Sequence, residues 1–528
     1  MAMNLQDFRK HGDELFDALI ARRAVAPLTD RIPDISLDDA YRIQLRMIER
    51  RIDKGETVVG KKIGVTSKAV QNMLKVYQPD FGQLLSGMVY SEGEAIPMDT
   101  LIAPKAEAEV AFILKADLNG PGITAADVLR ATDYVLPCFE IVDSRIQDWK
   151  IKIQDTVADN ASCGVFVLGG TPRSLRGLDL SVAGMVVEKN GDIVSTAAGA
   201  AVQGSPVNAV AWLANTRRVR HSAQGRRGDS VRFAVAADAG RGRRFLPLQR
   251  RRPRQLLRAL CLKTDIMTLD QDTIQNLAAH LEDAELNVRA VTKITDAHPS
   301  LDWDDAYAIQ HAIRLRKEAR SQRVAGLKAG LTSRAKMKQM GVDVPCFGLI
   351  FDYMSVPNGG EIEANKLIHP KVEAEIAFVL KQPLRGPGCH AGAVLAATDF
   401  VVPAVEIIDS RYENFRFDLA SVIADNTSAS RFVVGGVARG VEGLDLRTLG
   451  LVMEKNGEIV AMAAGAAVLG HPAVAVAALA NHLAARGEEI PAGTFIMSGG
   501  ATEAISVAAG DAIHVRFQDL GSVSMRFV

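Results

Sequence analysis

Apolar positions near the start of the chain recur at spacings of three and four, which predicts amphipathic helices over residues 5–22 and 37–54, the second N-capped by Ser36. After Gly60-Lys61-Lys62-Ile63-Gly64 the pattern changes to short apolar runs broken by turn signals. Two of these are Gly120-Pro121-Gly122 and Asn190-Gly191, the latter suited to a type I′ turn between antiparallel strands. Helices lead and a sheet-rich body comes after them, which is an α+β layout. The same sequence of signals then returns. Residues 301–319 repeat the helical spacing, Gly326-Leu327-Lys328-Ala329-Gly330 repeats the glycine-flanked lysine, and Gly386-Pro387-Gly388 and Asn456-Gly457 repeat the turns. Lys62 and Lys328, Glu107 and Glu373, Glu140 and Glu406, Asp159 and Asp425, and Asn215 and Asn481 all stand 266 residues apart. A long period without drift predicts two copies of one domain in tandem, and Met267 lies 266 residues after Met1.

The copies diverge after Asn215. The second continues as a helix end and strands, whereas the first enters a segment with 14 arginines, no lysine and only Asp229 and Asp238 as acids between Arg217 and Arg258. Clustered arginine is what a phosphate backbone attracts, so nucleic-acid binding is one reading. The other is a GC-rich coding sequence read out of frame, in which one insertion or deletion scrambled the first copy's ending and fused two adjacent genes. The expected domains are therefore 1–216, lacking its normal C-terminal strands, a poorly ordered linker at 217–266, and 267–528.

Composition narrows the classes. Zero net charge and 48% hydrophobic residues describe a globular protein. Five cysteines with no CxxC pair argue against a disulfide framework or structural zinc and for a reducing compartment, and the N-terminus carries charges where a signal peptide needs an apolar core. A cytoplasmic location is expected. The apolar run at 459–480 raises a membrane span, but Gly465, Gly470, His471 and Pro472 interrupt it, which predicts a strand, a turn and a helix opened by Pro472.

The candidate chemistry lies in two matching stretches, PKAEAEVAFIL at 104–114 and PKVEAEIAFVL at 370–380. Side chains at i and i+2 leave a strand on one face, so Glu107 with Glu109, and Glu373 with Glu375, aim two carboxylates at one point. Glu140 and Glu406 supply a third. Three carboxylates without thiolate or imidazole suit a hard divalent ion, Mg2+ or Mn2+. Lys62 and Lys328 offer a cation for an anionic substrate or a proton for transfer. Histidine is not a shared catalyst, because His11 alone precedes residue 216 and its counterpart is Leu277. Ser162 and Ser428 come just after Asp159-Asn160 and Asp425-Asn426, where they either bind substrate or make an Asx-type turn. One difference separates the copies: Pro79-Asp80-Phe81-Gly82 becomes Pro345-Cys346-Phe347-Gly348, so an acid/base present in the first is missing from the second.

Through GKKIGVTSKAVQNML, QPDFG, AEAE and CFEIVDSRIQDWKIKIQDTVADNASCG, the first copy resembles the 2-hydroxypenta-2,4-dienoate hydratases of meta-cleavage pathways. Through GLKAGLTSRAKMKQMGV, LIHPKVEAEIAFVL, GPGCH and VEIIDSRYENFRFDLASVIADN, the second resembles the 4-oxalocrotonate decarboxylases. Both groups belong to the hydratase/decarboxylase branch of the fumarylacetoacetate hydrolase superfamily. The resemblance implies two mixed β-roll domains, each with a small N-terminal helical part, and Mg2+ or Mn2+ held by Glu107, Glu109 and Glu140 and by Glu373, Glu375 and Glu406. It also implies a hydratase–decarboxylase complex, as homo- or hetero-oligomer, acting on small 2-oxo and 2-hydroxy dienoic acids. Lys62, Asp80 and Lys328 would be catalytic, and Ser162, Ser428 and Ser498 would bind substrate. The first copy lacks a match to the second copy's Ser498-Gly499-Gly500 loop and closing strands. Competing readings are another 2-oxo acid hydrolase or isomerase on the same fold, and nucleic-acid binding through the arginines.

Overall fold

Asn4 caps the helix Leu5–Ala21 and Ser36 caps Leu37–Ile52, each through a reciprocal box in which the side chain three positions on returns a bond to the cap. In the computed structural model, which describes residues 3–216, 233–237, 269–333, 337, 342 and 344–528, these helices match the spacing in the sequence. Asp302 caps the corresponding helix Trp303–Ala319 of the second copy. Leu37–Ile52 and Trp303–Ala319 are each tied to the body by one buried glutamine. Gln44 donates to the carbonyls of Phe81 and Val157, and Gln310 donates to those of Phe347 and Ile423.

The strands of the first copy are β1 (Val58–Gly64), β2 (Asp80–Leu85), β3 (Val89–Ser91), β4 (Lys105–Leu114), β5 (Thr132–Val142), β6 (Cys163–Leu168), β7 (Gly184–Lys189), β8 (Asp192–Ala198) and β9 (Phe233–Ala237). Those of the second are β10 (Val324–Gly330), β11 (Cys346–Phe351), β12 (Ser355–Val356), β13 (Glu361–Ile362), β14 (Lys371–Leu380), β15 (Thr398–Ile408), β16 (Ala429–Val434), β17 (Gly450–Lys455), β18 (Glu458–Ala464), β19 (Phe495–Met497), β20 (Ile505–Ser506), β21 (Ala512–Phe517) and β22 (Gly521–Phe527). The chain divides into two compact units. One is built on residues up to Ser181 and from Gly199, the other on Val182–Ala198 and the second copy.

The first unit contains a seven-stranded mixed sheet in the order β2-β1-β9-β4-β5-β6-β3. The second contains its counterpart, β11-β10-β19-β14-β15-β16-β12 with β20 on β14, and a further sheet, β13-β22-β21-β17-β18. The layout is α+β, as the patterning predicts. Asn190-Gly191 and Asn456-Gly457 join β7 to β8 and β17 to β18 with positive φ at both turn residues, the type I′ geometry expected of them.

Period-two alternation decides what β14 does. Val372, Ala374, Ile376 and Phe378 point into the main core with Leu451, Met453, Val515 and Val523 of the second sheet and the helix Pro472–Ala484. The odd positions leave the other face, carrying Glu373 and Glu375. In the first copy Ala106, Ala108 and Val110, the counterparts of Val372, Ala374 and Ile376, are only half-buried. Among the described residues the first unit has no counterpart of β21 or β22 to cover them.

Two expectations are refined here. The stretch Gly465–Ala484 is long and apolar enough for a membrane span by length and composition. It consists of a 3-10 turn and the 13-residue helix opened by Pro472, with Ala473, Ala475, Val476, Ala477, Leu479 and Ala480 packed in the core. That helix is about 20 Å long, short of the ~30 Å hydrocarbon layer. The segment 217–266, read as a poorly ordered linker, contributes β9 to the first sheet, and its remaining residues lie outside the described ones, as does the frameshift reading that rests on them.

Candidate metal centre

β4 and β5 pair antiparallel with Glu107 directly opposite Glu140, and β14 and β15 pair with Glu373 opposite Glu406. Cross-strand pairing therefore brings the third carboxylate to the two that strand alternation already aligns. In each copy the three glutamates offer ligand atoms that all lie within 4.8 Å of one another. Glu109 and Glu140 are 6% and 1% exposed, and Glu375 and Glu406 are 0% and 2% exposed, while Glu107 and Glu373 are partly exposed and open each cluster on one side. Burial pushes the Glu109 and Glu375 carboxyls well above the usual carboxylate range, and the charges of Glu140 and Glu406 push the same way.

The donor set fits a hard divalent cation. Among the described residues, both oxygens of Glu109 and Oε1 of Glu140 lack a partner in the first copy, as do one oxygen each of Glu375 and Glu406 in the second. Buried carboxylate oxygens aimed at a common point and left without donors are what a metal ion satisfies.

A buried lysine completes each cluster. Lys62 Nζ lies 3.0 Å from Glu140 Oε2 and Lys328 Nζ lies 2.7 Å from Glu406 Oε1. Burial alone would lower both ammonium groups, but the surrounding carboxylates outweigh it and hold them protonated. Each lysine also donates to a backbone carbonyl, Ala161 for Lys62 and Thr427 for Lys328, both at 3.0 Å.

Those carbonyls belong to an unusual turn. Asn160, Ala161 and Ser162 have φ of 53°, 51° and 54°, and Asn426, Thr427 and Ser428 have 47°, 51° and 57°. Three consecutive non-glycine residues thus sit in the left-handed region, each at a cost of about 1–2 kcal/mol. The asparagine fixes the turn by acting as an extra strand residue. Asn160 exchanges hydrogen bonds with the Gln83 backbone at 2.7 and 2.9 Å, and Asn426 does so with Leu349 at 2.8 Å in both directions. Gly82 and Gly348 admit this approach, since a Cβ there would fall 2.6 Å from the Asn160 carbonyl oxygen and 2.3 Å from Thr427 Oγ1. This explains the Phe-Gly shared by the copies.

Asp80 lies beside Lys62. Both carboxylate oxygens of Asp80 lack hydrogen-bond partners among the described residues, and burial, opposed by Lys62 and reinforced by Glu140, pushes its carboxyl up to about 6. A cavity of about 330 Å3 lined by Tyr41, Lys75, Gln78, Pro79 and Asp80 reaches it. At the matching place the Cys346 thiol is pushed up to about 12 by burial and is neutral near pH 7. The glycine after each lysine makes room for these side chains, because a Cβ on Gly64 would meet Asp80 Oδ1 at 2.4 Å and one on Gly330 would meet Cys346 Sγ at 3.1 Å.

The hydroxyls of all three serines lie against groups of the fold. Ser498 donates its hydroxyl to the Ile376 carbonyl at 2.7 Å and is fully buried. Ser162 shares a hydrogen bond with Thr156 at 3.1 Å, and Ser428 faces Asp425 at 3.4 Å. Ser162 and Ser428 are the last residues of the left-handed turns.

Sequence reasoning missed the buried arginines. Arg145 binds Asp159 and the carbonyls of Asp143, Asp159 and Cys163, while Arg411 binds Asp425 and the carbonyls of Asp409, Asp425 and Ala429. They tie the end of the third-glutamate strand to the left-handed turn. Asp143 and Asp409 accept backbone N–H bonds from Ile102 and Ala103 and from Ile368 and His369, anchoring the approach to the paired glutamates. An arginine following Asp-Ser at the end of the same apolar strand in both copies was the available signal.

No family model matches the chain. Over 261 residues it is 62% identical to 4-oxalocrotonate decarboxylase of Pseudomonas sp. (strain CF600), a match covering 49% of this chain and 99% of that protein. Over 206 residues it is 68% identical to 2-hydroxypent-2,4-dienoate hydratase of Pseudomonas putida, covering 39% of this chain and 93% of that protein. The solved structure of 4-oxalocrotonate decarboxylase from Pseudomonas putida G7, complexed with magnesium and adipate, is 60% identical with a TM-score of 0.49, covering 50% of this chain and 100% of that one. The two sequence matches divide the chain between them, and it belongs to the hydratase/decarboxylase branch of the fumarylacetoacetate hydrolase superfamily as a hydratase-like copy fused to a decarboxylase-like copy.

Proposed function

We propose that the second copy decarboxylates 2-oxohex-3-enedioate to 2-hydroxypenta-2,4-dienoate, and that the first copy is built to hydrate that dienoate to 4-hydroxy-2-oxopentanoate. The observation that carries this is the buried cluster of Glu373, Glu375, Glu406 and Lys328, repeated at Glu107, Glu109, Glu140 and Lys62 with Asp80 added. Glu373, Glu375 and Glu406 would hold the ion in the second copy, and Glu107, Glu109 and Glu140 in the first. A bound Mg2+ or Mn2+ would supply Lewis-acid stabilisation of a 2-oxo acid.

As CO2 leaves, the electron pair of the C5–C6 bond moves through the conjugated chain to the oxygen on C2. Lys328, held protonated, puts its positive charge where that oxygen gains electrons. The buried, neutral Cys346 offers no acid to protonate the dienol at carbon, so the product leaves as such. In the first copy the carboxyl of Asp80, at about 6, can take and give a proton near neutral pH, with Lys62 beside it as water adds to the distal alkene. The two steps run in sequence, the product of one being the substrate of the other. A hydratase–decarboxylase assembly in the cytoplasm, acting on soluble dienoic acids without nucleic acid or membrane, completes the proposal.

The test is CO2 release and hydration by the full chain with and without Mg2+ or Mn2+. Stimulation by either ion supports the reading, and equal rates after chelation defeat it. Cys346→Asp supplies the missing acid. In a Glu109→Gln background it should give the second copy hydration product at roughly ten times the level of the background alone, measured by NMR of the products.

A further inference from the structure

β9 and β19 occupy the same slot in their sheets. Val235 lies opposite Lys62 and Ala111, and Met497 lies opposite Lys328 and Ala377. Counting on from that register, the backbone of Ala236 and Ala237 stands where Ser498 and Gly499 stand in the second copy, with Ala237 opposite Glu109.

The loop that leaves β19 is shaped around the carboxylates. The Gly499 N–H donates to Glu375 Oε2 at 2.8 Å. Gly499 has φ +101°, a conformation an L side chain rarely adopts, and a Cβ there would lie 2.2 Å from Thr332 Oγ1. A Cβ on Gly500 would lie 2.4 Å from Glu373 Oε2. The loop therefore orients Glu375 and packs against Glu373, and its backbone at Gly499 is one that glycine favours. In the first copy alanine takes the Gly499 place.

Resting on the metal reading above, we propose that the Gly499-Gly500 loop fixes the second copy's carboxylates for a divalent cation, that β9 does not do this for the first copy, and that the chain holds one tightly bound ion rather than two. Gly499 and Gly500 are positioning residues, acting through Glu375 and Glu373. The first copy's hydration step is correspondingly slow in the fused chain.

Mn2+ binding to the full chain tests this, read by the electron paramagnetic resonance of free Mn2+ and by calorimetry. One tight equivalent per chain is expected, removed by Glu375→Gln. Gly500→Ala should weaken it about ten- to hundredfold, as loss of a ligand-orienting contact does, with circular dichroism unchanged. Replacing residues 217–266 by a copy of residues 483–528 should add a second equivalent. Two tight equivalents in the unaltered chain, loss of the single one on Glu109→Gln, or parental affinity in Gly500→Ala would each overturn the proposal. Absence of any Mn2+ binding by the folded chain would overturn the metal reading with it, which sets that failure apart from the others.

Discussion

Glu375→Gln is expected to abolish metal-dependent CO2 release from 2-oxohex-3-enedioate while the second copy still folds. Glutamine keeps the volume and one oxygen but removes the charge, at a residue that is itself 0% exposed. Loss of Lewis-acid stabilisation worth about 4 kcal/mol corresponds to roughly a thousandfold in kcat. The substitution also takes away a carboxyl that burial and its neighbours' charges hold well above the ordinary range, so it should not destabilise the fold. The measurements are steady-state CO2 release at saturating Mg2+ and a thermal melt. Activity within tenfold of the parent would remove Glu375 from the proposed centre, and Glu373→Gln provides an independent check on the same cluster.

Arg411→Met is expected to be the most destabilising single change in the second copy. Arg411 is 3% exposed, pairs with the Asp425 carboxylate and donates to three backbone carbonyls, those of Asp409, Asp425 and Ala429. Methionine fills much of the space but leaves a buried carboxylate and those carbonyls without donors, which costs about 3–5 kcal/mol. Asp425→Asn in the same chain should recover part of that cost, because it removes the stranded charge. Denaturant unfolding of both single variants and the double gives the coupling energy. A coupling near zero would show that Arg411 contributes through packing alone.

Much of the site was legible in the sequence because it obeys short-range rules. Glu107 and Glu109 share a face by strand alternation, the 266-residue repeat singled out Glu140 and Lys62, and the change from Asp80 to Cys346 between the copies singled out Asp80. The helices at Leu5–Ala21 and Leu37–Ile52 and both Asn-Gly hairpins arise from local spacing and turn chemistry. The features that escaped depend on partners far along the chain. The Ser498 hydroxyl is taken by a carbonyl 122 positions away, and nothing around Ser498 announces Ile376. Asn160 looks like an ordinary turn residue until Gln83, 77 positions earlier, is seen to pair with it as a strand would. β9 escaped for another reason. Its arginine-rich setting resembles no strand, yet Phe233–Ala237 is a short apolar run and pairs with β1 and β4.

The paired left-handed turns carry a last consequence. Glycine at Thr427 would relax the mirror-image backbone, and the decarboxylase copy should then melt at a higher temperature. The same relaxation would let the carbonyl that steers Lys328 wander, so turnover should fall as heat resistance climbs. A screen for thermal hardiness alone would select such glycines and, round by round, blunt the catalyst.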